Sequence, residues 1–255
     1  MNARAISLLA AVLALLVVPA RADDNAPTVL DSGRLVVFSH GEPVATEDFE
    51  YDLRNDTLFV TSMTNRRARA DDGTIKPYTK SMELIAHPDD WAMLTYVSTE
   101  KFDGRKTNRM VMPSDTAITV TVEKDNYGVA DKLERLPGRV FAMDAGLFTL
   151  FDVIARSVHG RIFGPRPVAL VTLGDQNSTL FATATPAGRD TIRWGARRVV
   201  TDRIALTDST SAFMLYVSSE GRMLRLENSA ADIVVMRDPP AVPHATKRRR
   251  PPPPR

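Results

Sequence analysis

The segment Glu47–Arg54, EDFEYDLR, gives the clearest indication of the fold. Its large apolar side chains Phe49, Tyr51 and Leu53 alternate with charged side chains. A period of two places one set of side chains against a core and the other in water, which is typical of a half-buried antiparallel strand. We therefore expect this segment to be one strand of a sheet that has one solvated face.

Two later segments, Thr116–Glu123 and Thr191–Arg197, show the same alternation. Turn-forming residues separate such segments at short intervals, as in Gly41-Glu42-Pro43 and Asp103-Gly104. Many strands joined by tight turns are typical of a meander. The sequence thus predicts a mainly β chain of about a dozen strands. We expect them to form one large, curved, half-barrel-like antiparallel sheet.

The segment from Asp144 to Gly160, DAGLFTLFDVIARSVHG, breaks this period. Its apolar residues have helical spacing: Leu147, Leu150, Phe151, Ile154 and Val158. With Asp144 as N-cap and Gly160 as terminator, they predict one α-helix near 144–158. The helix would cover one face or end of the sheet, or else act as a lid or plug over a cavity. The flanking segments 125–140 and 160–167 are predicted to be loops.

The first 22 residues have the three-part pattern of a secretory signal peptide. Arg4 supplies the positive charge, Ile6–Val18 is a short apolar run, and Ala20-Arg21-Ala22 is the cleavage motif. We expect cleavage after Ala22, a mature chain without a transmembrane segment, and a periplasmic or secreted location. The sequence contains no cysteine, which excludes disulfides and thiolate metal sites and fits a bacterial periplasm.

The other end of the chain, residues 241–255, is predicted to be a disordered, basic, proline-rich tail that follows a single β domain at 23–240. Its cations are Lys247, Arg248, Arg249, Arg250 and Arg255. They could contact an anionic envelope polymer or lipid head groups, or serve only solubility. Without these five cations and two in the signal segment, 26 basic residues face 31 acidic ones. Such an acidic body argues against nucleic-acid binding.

Sequence motifs for catalysis are missing. No paired-histidine metal motif, Gly-x-Ser-x-Gly turn or phosphate-binding loop occurs. We therefore predict no catalytic residue, no metal and no cofactor. The weaker alternative is a hydrolase assembled from loops near His40, His87 or the acids of Glu47–Asp52. Alternation places Asp48, Glu50 and Asp52 on the solvent side of their strand, opposite Phe49, Tyr51 and Leu53.

Two hairpins carry a resemblance to a known group of proteins. They are GRLVVFSHGEPVATEDFEYDL at Gly33–Leu53 and FMLYVSSEGRMLRLE at Phe213–Glu227. They resemble the opening and closing hairpins of a family of uncharacterised bacterial envelope proteins. This resemblance implies a signal peptide, one large antiparallel sheet and a short helix in mid-chain, and it carries over no catalytic residue. The expected architecture is also similar to that of periplasmic lipoprotein carriers, which is an analogy of shape alone.

We accordingly expect a non-enzymatic periplasmic protein whose concave sheet face binds a lipid or another amphipathic small molecule. The residues expected to line that face are Phe49, Tyr51, Leu53, Ile118, Val120, Val122, Leu147, Phe151, Ile192 and Trp194. The same residues could form a filled core instead, because both arrangements need the same alternation. The second hypothesis is an envelope scaffold module that works through the basic tail.

Overall fold

The computed structural model describes residues 27–125, 127–161 and 164–240. The predicted signal peptide at 1–22 and the predicted tail at 241–255 lie outside the described residues. Within them the chain forms fifteen strands and one helix. In chain order they are β1 (Thr28–Ser39), β2 (Glu42–Arg54), β3 (Thr57–Arg69), β4 (Ile75–Ala86), β5 (Met93–Phe102), β6 (Arg105–Pro113), β7 (Ala117–Lys124), β8 (Tyr127–Glu134), β9 (Val140–Asp144), α1 (Thr149–Val158), β10 (Arg166–Leu173), β11 (Ser178–Trp194), β12 (Arg197–Thr207), β13 (Ala212–Val217), β14 (Met223–Asn228) and β15 (Ile233–Arg237).

All fifteen strands belong to one sheet, in the order β8-β7-β6-β5-β4-β3-β2-β1-β15-β14-β13-β12-β11-β10-β9. Two meanders, β1–β8 and β10–β15, are joined where β1 pairs with β15 in the middle of the sheet. Every neighbouring pair is antiparallel except β9 and β10, which are parallel. The prediction of a mainly β, curved antiparallel sheet with one helix is confirmed.

The two edge strands follow one another in the chain but lie at opposite edges of the sheet. The sheet rolls up, so that β9 packs against β5 and β8 lies beside β11. Asn177, in the β10–β11 turn, donates a hydrogen bond to Asp131 of β8 at 2.8 Å. The edges therefore approach the opposite half of the sheet, yet they do not pair with each other among the described residues.

The helix lies inside this roll. All residues from Thr149 to Val158 except Arg156 are buried, so α1 covers the inner face of the sheet from within the roll and also plugs it. The predicted start at Asp144 was wrong, because Asp144 is the last residue of β9 and Phe148 occupies the N-cap position. Asp144 is held in the strand by partners from β4 and β5, described below.

Two local expectations were also wrong. The segment 125–140, expected to be a loop, contains β8 and the first residue of β9. Strand β8 is exposed or half-buried along its whole length, and Asp131 interrupts the short apolar series Tyr127, Val129 and Leu133. The segment Thr191–Arg197 was expected to be one strand, but it crosses the tight turn Gly195-Ala196 between β11 and β12.

Because neighbouring strands alternate in direction, the turns fall at two ends of the roll. We call the end that carries the β1–β2, β3–β4 and β5–β6 turns the mouth end, and the opposite end the base end. Strand β9 runs towards the mouth end, parallel to β10, and α1 returns from there into the roll. The helix N-terminus therefore faces the mouth end.

The glycine at the β11–β12 turn provides a test of the packing at the base end. Gly195 has φ +62°, and a Cβ added there would lie 2.9 Å from Cγ of Pro239. Gly104, in the β5–β6 turn, has φ +74° and open space around it. We expect Gly104→Ala to lower the free energy of unfolding by about 1 kcal/mol through the left-handed backbone alone.

Gly195→Ala should lower the free energy of unfolding by about 1 kcal/mol more than Gly104→Ala does, because the new Cβ collides with Pro239. Urea unfolding followed by tryptophan fluorescence measures both values. A double-mutant cycle with Pro239→Gly should remove the difference. Equal losses for Gly195→Ala and Gly104→Ala would contradict the described contact.

Candidate functional site

The carboxylate of Asp144 anchors the inner edge of the roll. Its side chain is 1% exposed and accepts hydrogen bonds from Lys80 Nζ at 2.5 Å, Tyr96 Oη at 2.7 Å and Ser98 Oγ at 2.8 Å. Lys80 also donates to the carbonyl oxygen of Ala145 at 3.0 Å. Since these donors lie on β4 and β5, they fix the end of β9 against the first half of the sheet.

A second carboxylate, Glu100, lies next to this anchor. Its Oε2 is 3.2 Å from Nη1 of Arg109 and 3.6 Å from Nζ of Lys80. The two cations are thus matched by Glu100 and Asp144. Arg109 is only 9% exposed, and its Nε makes no hydrogen bond to any described residue.

The carboxylate of Glu47 fixes the start of the helix. It is fully buried and accepts hydrogen bonds from the backbone N–H groups of Phe148 at 2.6 Å and Thr149 at 3.2 Å. These are unpaired donors at the positive end of the helix dipole, so a carboxylate there is stabilising. Burial nevertheless raises the pKa of Glu47.

Of the three β2 acids expected on the solvent side, Asp48, Glu50 and Asp52, the position of Asp52 was wrong. Glu47 lies on the same face as Phe49 and Tyr51. Asp52 is also buried, 2.7 Å from Arg54. Asp48 and Glu50 are exposed, as alternation predicts.

A polar cluster towards the base end explains why α1 can be buried on all sides. Asp152 accepts hydrogen bonds from Tyr51 Oη at 2.7 Å and Arg156 Nε at 2.9 Å. Arg156 and Arg237 both bind the carboxylate of Asp31, the latter at 2.6 Å. Burial alone would raise the pKa of Asp31, but Arg237 and Arg156 outweigh it and lower that pKa. The charged stripe of the helix thus finds its partners within the protein.

A cavity of about 740 Å³ opens at the mouth end, above the Asp144 anchor and beside the helix N-terminus. We call it the mouth cavity. One side is apolar and is lined by Val37, Val44, Ala45, Phe148, Leu173 and Ile233. The other side is polar, and the charged residues of the lining are Arg66, Arg67, Lys80, Glu100, Arg109, Asp144 and Asp175. The cavity therefore has an amphipathic lining built from both halves of the sheet.

Two arginines of β3 stand out in this lining. Arg66 pairs with Tyr78 across β3 and β4, and its guanidinium carbon lies 4.1 Å from the centre of the tyrosine ring. Burial and then Glu100 raise the pKa of Tyr78 to about 12, so the phenol is neutral at neutral pH. Neither Arg66 nor Arg67 forms an ion pair with a carboxylate in the described ranges.

The structure places the ten residues expected to line a binding face away from the mouth cavity. Six of them lie in the central core: Phe49, Tyr51, Ile118, Val120, Leu147 and Phe151. Ile192 and Trp194 belong to a separate small cluster with Tyr216 and Leu224. Leu53 and Val122 are half-buried. Ligand binding by these ten residues stays a prediction, and their packing matches the filled-core alternative.

The histidines named for a hydrolase do not come together. His40 lies at the mouth end, 2.7 Å from Asp232, whereas His87 follows β4 at the base end. His159 lies 3.4 Å from Asp202. The predicted tail contacts, Lys247, Arg248, Arg249, Arg250 and Arg255, lie outside the described residues.

Metal-binding clusters and membrane-spanning helices are both absent from the described part of the chain. No group of three or more His, Cys, Asp or Glu side chains is arranged to hold a metal ion there. No helix within 27–125, 127–161 and 164–240 has the length and hydropathy of a membrane span.

Sequence reasoning missed the charged residues that form the anchors of this site, although a signal was present. In β4, alternation places Lys80 on the same face of the strand as Tyr78, Met82 and Leu84, which are buried. In β2, alternation likewise places Glu47 on the same face as the apolar residues Phe49 and Tyr51. A charged residue in phase with an apolar series indicates a buried, paired charge.

Comparison with solved structures identifies the class of fold. The chain is similar to a β-barrel-like protein of the domain of unknown function DUF1849 from Brucella abortus, with a TM-score of 0.52 and 8% identity over 83% of this chain and 97% of the other. It also matches a DUF1089 family protein from Pseudomonas aeruginosa, with a TM-score of 0.46 and 12% identity over 74% of this chain and 90% of the other. No family model matches the sequence, and no curated protein matches it significantly.

The first of these similarities supports a β-barrel-like domain of unknown function. It confirms, at the level of the fold, the resemblance to an uncharacterised family of β-sheet proteins. At 8% identity it shows the fold alone and transfers no site residue.

The anchor at Asp144 can be tested by removing its charge. Asp144→Asn leaves Lys80 buried without its closest anion, so we expect the free energy of unfolding to fall by about 3–5 kcal/mol. Asp71→Asn, at a side chain that is 93% exposed, is the matched control and should change stability by less than about 0.5 kcal/mol. Denaturant unfolding measures both.

Adding Lys80→Met to Asp144→Asn should recover part of the loss, because no unpaired charge then remains in the cluster. A loss below about 1 kcal/mol for Asp144→Asn alone would contradict the anchoring role.

The raised pKa of Glu47 predicts a specific pH dependence. The folded protein holds the proton more tightly than the unfolded chain, whose glutamate has the ordinary value of 4.5. The contribution of Glu47 to stability is therefore greatest below pH 4.5 and decreases as the pH rises through the folded pKa. The free energy of unfolding of the wild-type protein, taken relative to that of Glu47→Gln, should therefore decrease as the pH rises from 4.5 through the folded pKa of Glu47.

Thermal unfolding from pH 4 to pH 8 gives this difference curve. Glu50→Gln removes an exposed carboxylate from the same strand and serves as the control for charge loss. A Glu47 difference curve that is flat, or that rises with pH, would contradict the prediction.

Proposed function

We propose that this protein is a non-enzymatic, secreted periplasmic protein that binds an amphipathic small molecule in the mouth cavity. The observation that carries the proposal is the mouth cavity itself, about 740 Å³ with one apolar and one polar side. Ligand pockets typically have volumes of roughly 300–1,000 Å³ and combine apolar walls with a few polar groups. The periplasmic part rests on the signal-peptide pattern of residues 1–22.

The walls of the cavity are held rigidly, which favours binding without rearrangement. Asp144 fixes the end of β9, and Glu47 fixes the first N–H groups of α1. Phe148, which lines the apolar side, lies between these two contacts in the chain. A ligand would therefore meet a preformed surface.

This proposal moves the ligand from the concave sheet face to the mouth. The core beneath the helix is occupied by buried side chains such as Tyr51, Leu147 and Ile154, each at most 1% exposed. Lipoprotein carriers remain an architectural analogy, and the helix here is a plug beside the cavity rather than a cover above it.

Filling the cavity tests the proposal. Ala45 lies on the inward face of β2 and lines the mouth cavity, so Ala45→Trp should occupy its apolar side. We expect the affinity for dodecyl amphiphiles to fall at least about tenfold, since a bulky side chain excludes the ligand chain. Native mass spectrometry and calorimetric titration below the micelle concentration measure this effect.

Ala231→Trp, at an exposed turn residue outside the cavity, is the matched control and should bind like the wild-type protein. Melting temperatures establish that both variants are folded. If wild-type protein binds none of the amphiphiles, or if Ala45→Trp binds them equally well, the proposed function is wrong.

A further inference from the structure

The charges around the mouth cavity define the chemical class of its ligand. Building on the proposed binding function, we propose that the ligand is an anionic amphiphile. Its phosphate or carboxylate group lies against Arg66, Arg67 and Arg109, and its hydrocarbon part lies against the apolar side that includes Phe148 and Ile233.

The first step is the balance of charges in the lining. Lys80 and Arg109 are matched by Asp144 and Glu100, at 2.5 Å and 3.2 Å respectively. Arg66 and Arg67 form no ion pair at salt-bridge distance with a carboxylate of the described residues, and the remaining carboxylate of the lining is Asp175. The lining thus holds four cations and three carboxylates, a positive excess although the chain between the signal segment and the tail is acidic.

The second step is the orientation of Arg66. Its guanidinium carbon is 4.1 Å from the centre of the Tyr78 ring, a distance at which the planar group packs on the ring. Tyr78 itself is 6% exposed and is fixed in β4, so the stacked arginine is held in place. A guanidinium packed in this way keeps N–H donors at its edge, which suit a planar or tetrahedral anion.

The third step is an unsatisfied donor. Arg109 is nine-tenths buried and lines the mouth cavity, yet its Nε has no hydrogen-bond partner in the described chain. That Nε is closed to solvent, so an anionic oxygen in the cavity would meet the terminal N–H groups of the Arg109 guanidinium instead, which carry its remaining donors. This observation is independent of the exposed pair Arg66 and Arg67.

The fourth step is the opposite wall. Leu173 is 5% exposed and Val37 is 4% exposed, and half-buried Phe148 and Ile233 complete the apolar surface. A free inorganic anion would leave this surface in contact with water. An amphiphile covers it and so gains hydrophobic free energy in addition to the charge contacts.

The experiment uses four probes with the same twelve-carbon chain: dodecyl phosphate, dodecanoate, dodecyl maltoside and dodecyltrimethylammonium. Binding to the wild-type protein is measured by calorimetry below the micelle concentrations. We expect at least one anionic probe to bind about tenfold more tightly than the neutral and cationic ones. Preference for dodecyl phosphate identifies a phosphate site, and equal binding of both anionic probes identifies a general anion site.

Arg66→Gln and Arg67→Gln should each weaken binding of the preferred anionic probe about tenfold and leave the neutral probe unaffected. The matched control is Arg69→Gln, which removes the same charge from the same strand but does not line the cavity. It should change the affinity by less than about twofold. Arg67 is exposed, so its variant keeps the test valid even if Arg66→Gln destabilises the fold.

The outcomes separate the two proposals. If none of the four probes binds, the proposed function fails and this inference fails with it. If the neutral probe binds as tightly as the anionic ones, or if both arginine variants bind like Arg69→Gln, the binding function stands and the anionic class is wrong. Tightest binding of the cationic probe would also overturn the inference.

Discussion

The buried carboxylate of Asp144 is the interaction on which the rest of the structure depends. It accepts hydrogen bonds from Lys80, Tyr96 and Ser98, and so holds the last residue of β9 against strands β4 and β5, with which β9 has no backbone pairing. A buried carboxylate is tolerated only when hydrogen-bond donors satisfy its oxygens. The position of Asp144 is therefore determined by these donors rather than by apolar packing. The roll of the sheet, the entry of the helix and the existence of a cavity above the anchor all follow from it.

The interior of the roll is organised by charge as well as by apolar packing. Near the mouth end, Glu47 receives the first N–H groups of the helix, and towards the base end Asp31 receives Arg156 and Arg237. These contacts restrict both the translation of the helix along its axis and its rotation about that axis. Hydrophobic packing alone restricts these two motions less strictly. The polar groups near the mouth end also prevent the apolar core from filling that end. An amphipathic cavity is the physical result.

Much of the fold could be predicted from alternation in single strands and from the helical spacing of Leu150, Phe151 and Ile154, because both patterns are local. The position of the helix could not be predicted, because Asp152 and Arg156 form a charged stripe of the kind that usually faces water. In the structure Asp152 is buried beside Tyr51, and half-buried Arg156 binds Asp31. The edge strand β8 left a weak periodic signal, because Asp131 interrupts the alternation of Tyr127, Val129 and Leu133. The mouth cavity was beyond sequence reasoning, since its lining comes from strands far apart in the chain. Lys80 and Arg109, charged residues in phase with apolar ones, gave a local sign of it.

The pairing of β1 with β15 has a consequence for how the protein must fold. This seam lies in the middle of the finished sheet, yet it joins the first and last strands of the described chain. The ion pair across it, between Asp31 and Arg237, links residues 206 positions apart. Until β15 has been synthesised, β1 is an edge whose backbone donors and acceptors are open to any other strand. Such long-range pairing is slow because the loop must close before any contact compensates its entropy. The centre of the sheet is therefore completed last, and the unfinished chain needs protection from association for as long as that seam is open.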